Sequence, residues 1–190
     1  TLGHVLTDVQ SGYTKSGQWV AVFGNGYESA NGAAVLYIVD LQTGALIRSI
    51  EVDTSGSNGL GGVRLVHDAN KVIIGAYAGD LKGKLWRFDL SDPSASNWFR
   101  LTNPLWTGPT SQPITQAPVL VPHPLGGNVV AFGTGKLYQD TDVSSTTTQA
   151  MYGVWDSVPL NGTTTVTTTW ALNSTSTLVL QTISGAISGT

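Results

Sequence analysis

Three strand-like runs in this chain end on the same residue type. LYIVD, KLWRFD and MYGVWD close on Asp40, Asp89 and Asp156, each with a large apolar side chain just before the aspartate, and Gly-rich turns separate them. The aspartates lie 49 and 67 residues apart, within or above the span of about 40 to 50 residues that a four-stranded propeller blade takes. That recurrence marks a repeat protein built as a wedge of blades. Asp40, Asp80, Asp89 and Asp156 fall at strand ends, where a short carboxylate accepts the amide hydrogens of the following turn.

Composition supports short strands over long helices. Glycine fills 23 of 190 positions and proline 8, against a usual glycine share of about 7%, and no amphipathic helix of ten or more residues is visible. With 41% apolar residues the chain can bury a sizeable core. The fold class is therefore all-β, a β-propeller of quinoprotein-like blades with four antiparallel strands each, present as a partial propeller or a fragment of a larger one.

The strands expected from the pattern begin with 19–24, followed by the Asn25-Gly26 hairpin signal, then 34–40 and 45–52. A second group covers 63–66, 71–78, 84–90 and 97–101, and a third 117–121, 129–132 and 150–155. The blades accordingly run over 19–62, 63–110 and 111–172. The Thr-rich stretch 163–172 reads as an edge strand or a solvated polar segment, and 173–190 as an edge strand or mobile tail.

Charge excludes some functions. Nine Lys and Arg against twelve Asp and Glu leave no field strong enough to hold a nucleic-acid backbone. No apolar run of about 18 residues is present for direct insertion into a bilayer. The absence of cysteine excludes disulfides and thiolate metal sites.

Catalytic motifs are equally scarce. Gly133-Thr134-Gly135-Lys136 lacks the earlier glycine and the Ser or Thr after lysine that a phosphate loop needs. No Gly-x-Ser-x-Gly elbow occurs, and His4, His67 and His123 are far apart. Asp68 and Asn70 fit the alternating oxygen ligands of a calcium loop, but Lys71 adds positive charge and Ile73 and Ile74 fill further ligand positions, so a divalent ion would lack compensation. Asp140 and Asp142 form a second Asp-x-Asp pair. Of six tryptophans, Trp86 and Trp155 suit packing between blades. Trp98 and Trp106, in Pro- and Ser-rich surroundings, are expected on an exposed partner-binding surface.

The series Gly24-Asn25-Gly26-Tyr27-Glu28-Ser29, LYIVDLQTGALI at 36–47 and YAGDLKGKLWRFDL at 77–90 resembles the type IV pilus tip adhesin and biogenesis family, the PilY/PilC group. QPITQAPVLVPHP at 112–124, FGTGKL at 132–137 and MYGVWD at 151–156 continue the likeness in the same order. The resemblance implies the C-terminal β-propeller of a large exported bacterial protein at the pilus tip, outer membrane or cell surface. It implies adhesion, pilus biogenesis, retraction control and twitching motility without catalysis. Partners would be pilus subunits, other domains of the parent protein, and a host-cell or abiotic surface. It also implies a calcium loop before the YAGD motif. Asp68 and Asn70 match ligand positions there, whereas Val66, Lys71 and Ile74 replace an acid, the glycine and the last acid. No cofactor is expected in this segment. The alternatives are a quinone-cofactor dehydrogenase, whose usual adjacent cysteine pair is missing, and a propeller used only for assembly.

Overall fold

The computed structural model describes residues 1–162 and the short strand at 170–171. The first sheet is an antiparallel meander of β1 (Gln10–Tyr13), β2 (Trp19–Gly24), β3 (Ala34–Asp40) and β4 (Leu46–Asp53), paired in chain order. It starts upstream of Trp19, where the sequence reading opens its first blade. The polar QSGY run carries no apolar alternation and becomes a strand only by pairing Gln10 with Val22 through Tyr13 with Trp19.

The second sheet contains β5 (Leu60–His67), β6 (Ile73–Asp80) and β7 (Lys84–Asp89), continued by β8 (Phe99–Arg100) and β9 (Trp106–Thr107) along β7. The third is an antiparallel meander of β10 (Val119–Pro122), β11 (Asn128–Gly133) and β12 (Met151–Asp156). The last described strand, β13 (Trp170–Ala171), runs parallel to β9 and so joins the second sheet. The reading of 111–172 as one blade is corrected at this strand; 163–169 and 173–190 lie outside the described residues. Two single turns of 3-10 helix, at Ala95–Asn97 and Asp140–Ser144, are the helical elements described. No helix among the described residues is long and apolar enough to cross a membrane.

Successive side chains on a strand point to opposite faces, and the second sheet uses both. Ala76, Ala78, Trp86 and Phe88 pack with Val20, Val22, Leu36, Ile38 and Leu60 in one core cluster. Tyr77 and Leu85 face the other way, joining Trp106, Ile114, Val130, Phe132 and Val154 in a second. This explains why IIGAYAGD is buried almost throughout, as expected of a strand covered on both faces. The close approach leaves no room at Gly79, where an added Cβ would stand 2.1 Å from Ile114 Cγ2.

The tip aspartates close turns through their carboxylates. Asp40 Oδ1 accepts the amides of Gln42 and Thr43 at 3.0 and 2.8 Å. Asp80 Oδ1 accepts those of Lys82 and Lys84 at 2.9 and 3.0 Å. Asp89 Oδ1 accepts the Ser91 amide at 3.0 Å, and Asp156 Oδ1 that of Val158 at 3.1 Å. Three of these carboxylates also take a longer-range donor. Trp86 Nε1 donates to Asp80 Oδ2, Gly162 N to Asp89 Oδ2 and Tyr77 Oη to Asp156 Oδ2.

The tryptophans depart from expectation. Trp98 is 1% exposed and Trp106 0%, so their placement on an exposed contact surface is corrected. Trp98 donates its indole hydrogen to Asp92 O at 2.8 Å and belongs to the first core cluster. Trp106 lies 4.6 Å from the Tyr152 ring and 6.2 Å from that of Phe132. Their polar flanks suggested exposure, but Trp106 stands in β9, which pairs with β7, and Trp98 immediately precedes β8, and each ring packs into a core cluster. Trp86 is buried as expected, whereas Trp155 is only half-buried and stacks on His123 with ring centroids 4.3 Å apart.

Candidate functional site

The three sheets bring several connecting loops to one end of the molecule. The β2–β3 loop, the β4–β5 loop, the β6–β7 turn and the β11–β12 loop together enclose a cleft of about 560 Å³. Two buried asparagines anchor the loops around it. Asn25 Oδ1 accepts the amides of Val35 and Leu60 at 2.9 and 3.0 Å, while its Nδ2 donates to Ala33 O and Ser29 Oγ. Asn58 Oδ1 accepts the amides of Gly59 and Leu81, and its Nδ2 donates to Asp80 Oδ2 at 3.2 Å. Buried polar groups left without partners are costly, so these satisfied side chains hold the loops in one arrangement.

The backbone at the cleft is constrained. Glu28 has φ of 57° and Ser57 φ of 48°, two of the three non-glycine residues with positive φ among the described residues. At Gly26, with φ of 72°, a Cβ would meet His4 O at 2.1 Å. Asn25-Gly26 thus opens a longer connection than the tight hairpin its sequence suggests. Tyr27 stacks on Tyr138 with centroids 4.3 Å apart and planes 13° from parallel, and His4 lies 5.0 Å from Tyr27. Burial, foremost, raises the Tyr138 hydroxyl above its ordinary pKa.

Charged groups at the rim engage one another. Glu28 accepts from Gln139 Nε2 at 2.5 Å, and His4 Nε2 stands 3.8 Å from its other carboxylate oxygen. Lys136, the lysine of the rejected phosphate-loop look-alike, pairs with Asp142 at 3.0 Å. Asp142 also accepts the amides of Tyr138 and Gln139. The Tyr138 amide and then the Lys136 ammonium hold its carboxyl below the usual range. Sequence reasoning missed this cleft: Tyr27 and Glu28 appeared only as part of a motif, and Asp142 only as half of an Asp-x-Asp pair.

Asp68 and Asn70 lie elsewhere, on the β5–β6 turn at the opposite strand ends. Asp68 Oδ1 accepts the amides of Asn70 and Val72 at 2.8 and 3.0 Å. Lys71 stands with φ of 65°, the left-handed conformation that glycine adopts without steric cost. Ile73 is turned into the core, and no group of three acidic or histidine side chains suited to a metal occurs among the described residues. One carboxylate already engaged by two amides, beside a lysine, does not fit the oxygen cage of a calcium ion.

Sheets sharing both faces of a central member, with Asp-closed turns and cleft-lining loops gathered at one end, define a propeller-type scaffold. A family model described as the PilY1 beta-propeller domain matches residues 1–185. The chain is 41% identical over 169 residues to the type IV pilus biogenesis factor PilY1 of Pseudomonas aeruginosa PAO1, covering 74% of this chain and 15% of that protein. It is 37% identical over 166 residues to a PilY1 homolog of Xylella fastidiosa Temecula1, covering 75% of this chain and 11% of the relative. The crystal structure of the P. aeruginosa PilY1 C-terminal domain is similar with a TM-score of 0.75 at 36% identity, over 86% of this chain and 40% of that one. The chain belongs to the PilY1 β-propeller domain family.

Proposed function

We propose that this chain is a non-catalytic interaction module of a type IV pilus protein, exported and displayed at the pilus tip, outer membrane or cell surface. In that setting it acts in pilus biogenesis, retraction control, twitching motility and attachment. Its partners are pilus subunits or other domains of its parent protein, and a host-cell or abiotic surface. The observation that carries this reading is the 41% identity over 169 residues to a protein named as a type IV pilus biogenesis factor.

The geometry supports it in kind. Asp40, Asp80, Asp89 and Asp156 have their carboxylates engaged in turns, and a rigid scaffold presenting loops at one end is a common way to build a binding surface. Many weak contacts, multiplied over many pili, supply firm attachment. The Asp68 turn works without calcium in this reading, so attachment is insensitive to chelation.

The test is to delete this segment from the parent protein in a piliated bacterium, then count pili and measure attachment to epithelial cells and glass, with and without chelator. Pili still present, with attachment lowered about tenfold or more, fit the proposal. Loss of pili altogether favours a purely structural assembly propeller. Dye-linked alcohol oxidation by the purified chain would return the quinone-dehydrogenase reading.

A further inference from the structure

We propose that the cleft lined by Tyr27, Asn31, Ser57 and Tyr138 binds a neutral oligosaccharide, a proposal that rests on the interaction-module reading above. Its volume of about 560 Å³ lies in the range of roughly 300 to 1,000 Å³ occupied by small-molecule sites. Loops from all three sheets contribute to it, so the site exists only in the assembled fold. Glu28 and Ser57, both with positive φ, stand at this one cleft. Residues held in sparsely populated backbone regions cluster where a ligand is clamped. The buried Asn25, Asn58 and Asp80 beneath them keep that strained geometry fixed without a ligand.

The distribution of used and unused polar groups selects the ligand class. Glu28 already accepts from the Gln139 side-chain amide, and Lys136 is paired with Asp142. The neutral groups are not consumed in the same way. Among the described residues the Tyr27 hydroxyl, the Ser57 hydroxyl and Asn31 Nδ2 have no hydrogen-bond partner, while Asn31 Oδ1 already accepts from Thr1 and Ser29. Hydroxyl and amide groups exchange hydrogen bonds with sugar hydroxyls without a charge to compensate. The Tyr27–Tyr138 pair and Leu81 supply apolar surface for the C–H face of a sugar ring. An anionic ligand would have to displace the Lys136–Asp142 pair. An extended peptide adding to a sheet would need an open strand edge, which these loops do not present.

Saturation-transfer NMR and calorimetry on the purified 190-residue chain test this, using lactose, maltotriose and triacetylchitotriose as neutral probes. At least one probe is expected to receive saturation, with a dissociation constant on the order of 1 mM or tighter. Asn31→Ala, Ser57→Ala and Tyr27→Phe should each weaken binding by roughly two- to tenfold, with thermal unfolding recorded to confirm folding. Leu125→Ala, at an exposed position on the β10–β11 turn at the opposite strand ends, should bind as the parent chain does.

Absence of saturation transfer from all three probes, or equal binding by the cleft variants, overturns the proposal. Binding confined to a heparin tetrasaccharide or to an acidic peptide overturns it as well. The two readings fail separately. A chain that binds no sugar while its deletion still lowers attachment loses only this inference, and a chain that binds sugar while its deletion leaves attachment unchanged loses only the attachment role.

Discussion

Tyr77 donates its hydroxyl hydrogen to Asp156 Oδ2 at 2.6 Å across the interior, and Arg87 Nε stands 2.8 Å from the same oxygen. Burial, then the Asp156 charge, raise the phenol above its ordinary pKa, with Arg87 opposing. Because the folded value is raised, the stabilisation is whole below the unfolded tyrosine pKa of about 10 and is lost as pH rises beyond it. Urea midpoints should therefore fall steeply above about pH 10, and Tyr77→Phe should flatten that fall while costing about 1 kcal/mol at neutral pH. An unchanged alkaline slope in the variant would remove Tyr77 from the account. The acid side has the opposite sign. The Thr43 amide, foremost, lowers Asp40, while bonds from Ser55 and Lys84 outweigh the burial that would raise Asp53. Their stabilisation is present above about pH 4 and is lost as pH falls below it.

At the scale of elements, local pattern succeeds for long strands and fails for short ones. AVLYIVD and KLWRFD carry apolar side chains and an Asp-closed turn, signals contained within a few residues. β8 falls inside the strand expected at 97–101 but is only two residues long, and β9, also two residues, lies where no strand was expected; both exist through pairing with β7. Pro- and Ser-rich flanks made Trp98 and Trp106 look surface-bound in sequence, and the fold makes both core residues. Trp98→Ala should accordingly cost about 3 to 5 kcal/mol in chemical denaturation. A surface position would change stability by about 0.5 kcal/mol or less, so the measurement separates the two placements.

For the whole molecule, the second sheet is the keystone because both its faces are covered. The Arg87–Asp156 pair joins it to the third sheet with both side chains buried, and Arg87 NH2 donates to Val158 O and Pro159 O at 2.9 Å. Removing one member of such a pair leaves an uncompensated charge, so Asp156→Ala should destabilise by about 3 to 5 kcal/mol. In a Tyr77→Phe background the double variant Arg87→Met, Asp156→Leu should recover part of that loss, since an apolar pair has no ion to desolvate while the Val158 and Pro159 carbonyls lose their donor. A double-mutant cycle by urea unfolding reads the coupling, and additive losses would show that the charges do not act as a unit.

The amino-acid sequence alone determined the all-β class, most of the strands, the aspartate-closed turns and the family, because alternation, turn chemistry and motif order are carried by neighbouring residues. Tertiary structure decided which aromatic rings are buried, that Trp170–Ala171 joins the second sheet, and that a cleft forms at all. Those outcomes depend on partners such as Glu28 with Gln139, or Tyr77 with Asp156, which stand 111 and 79 positions apart. No local pattern records such a meeting, since it arises only when the packed sheets bring distant loops to one end.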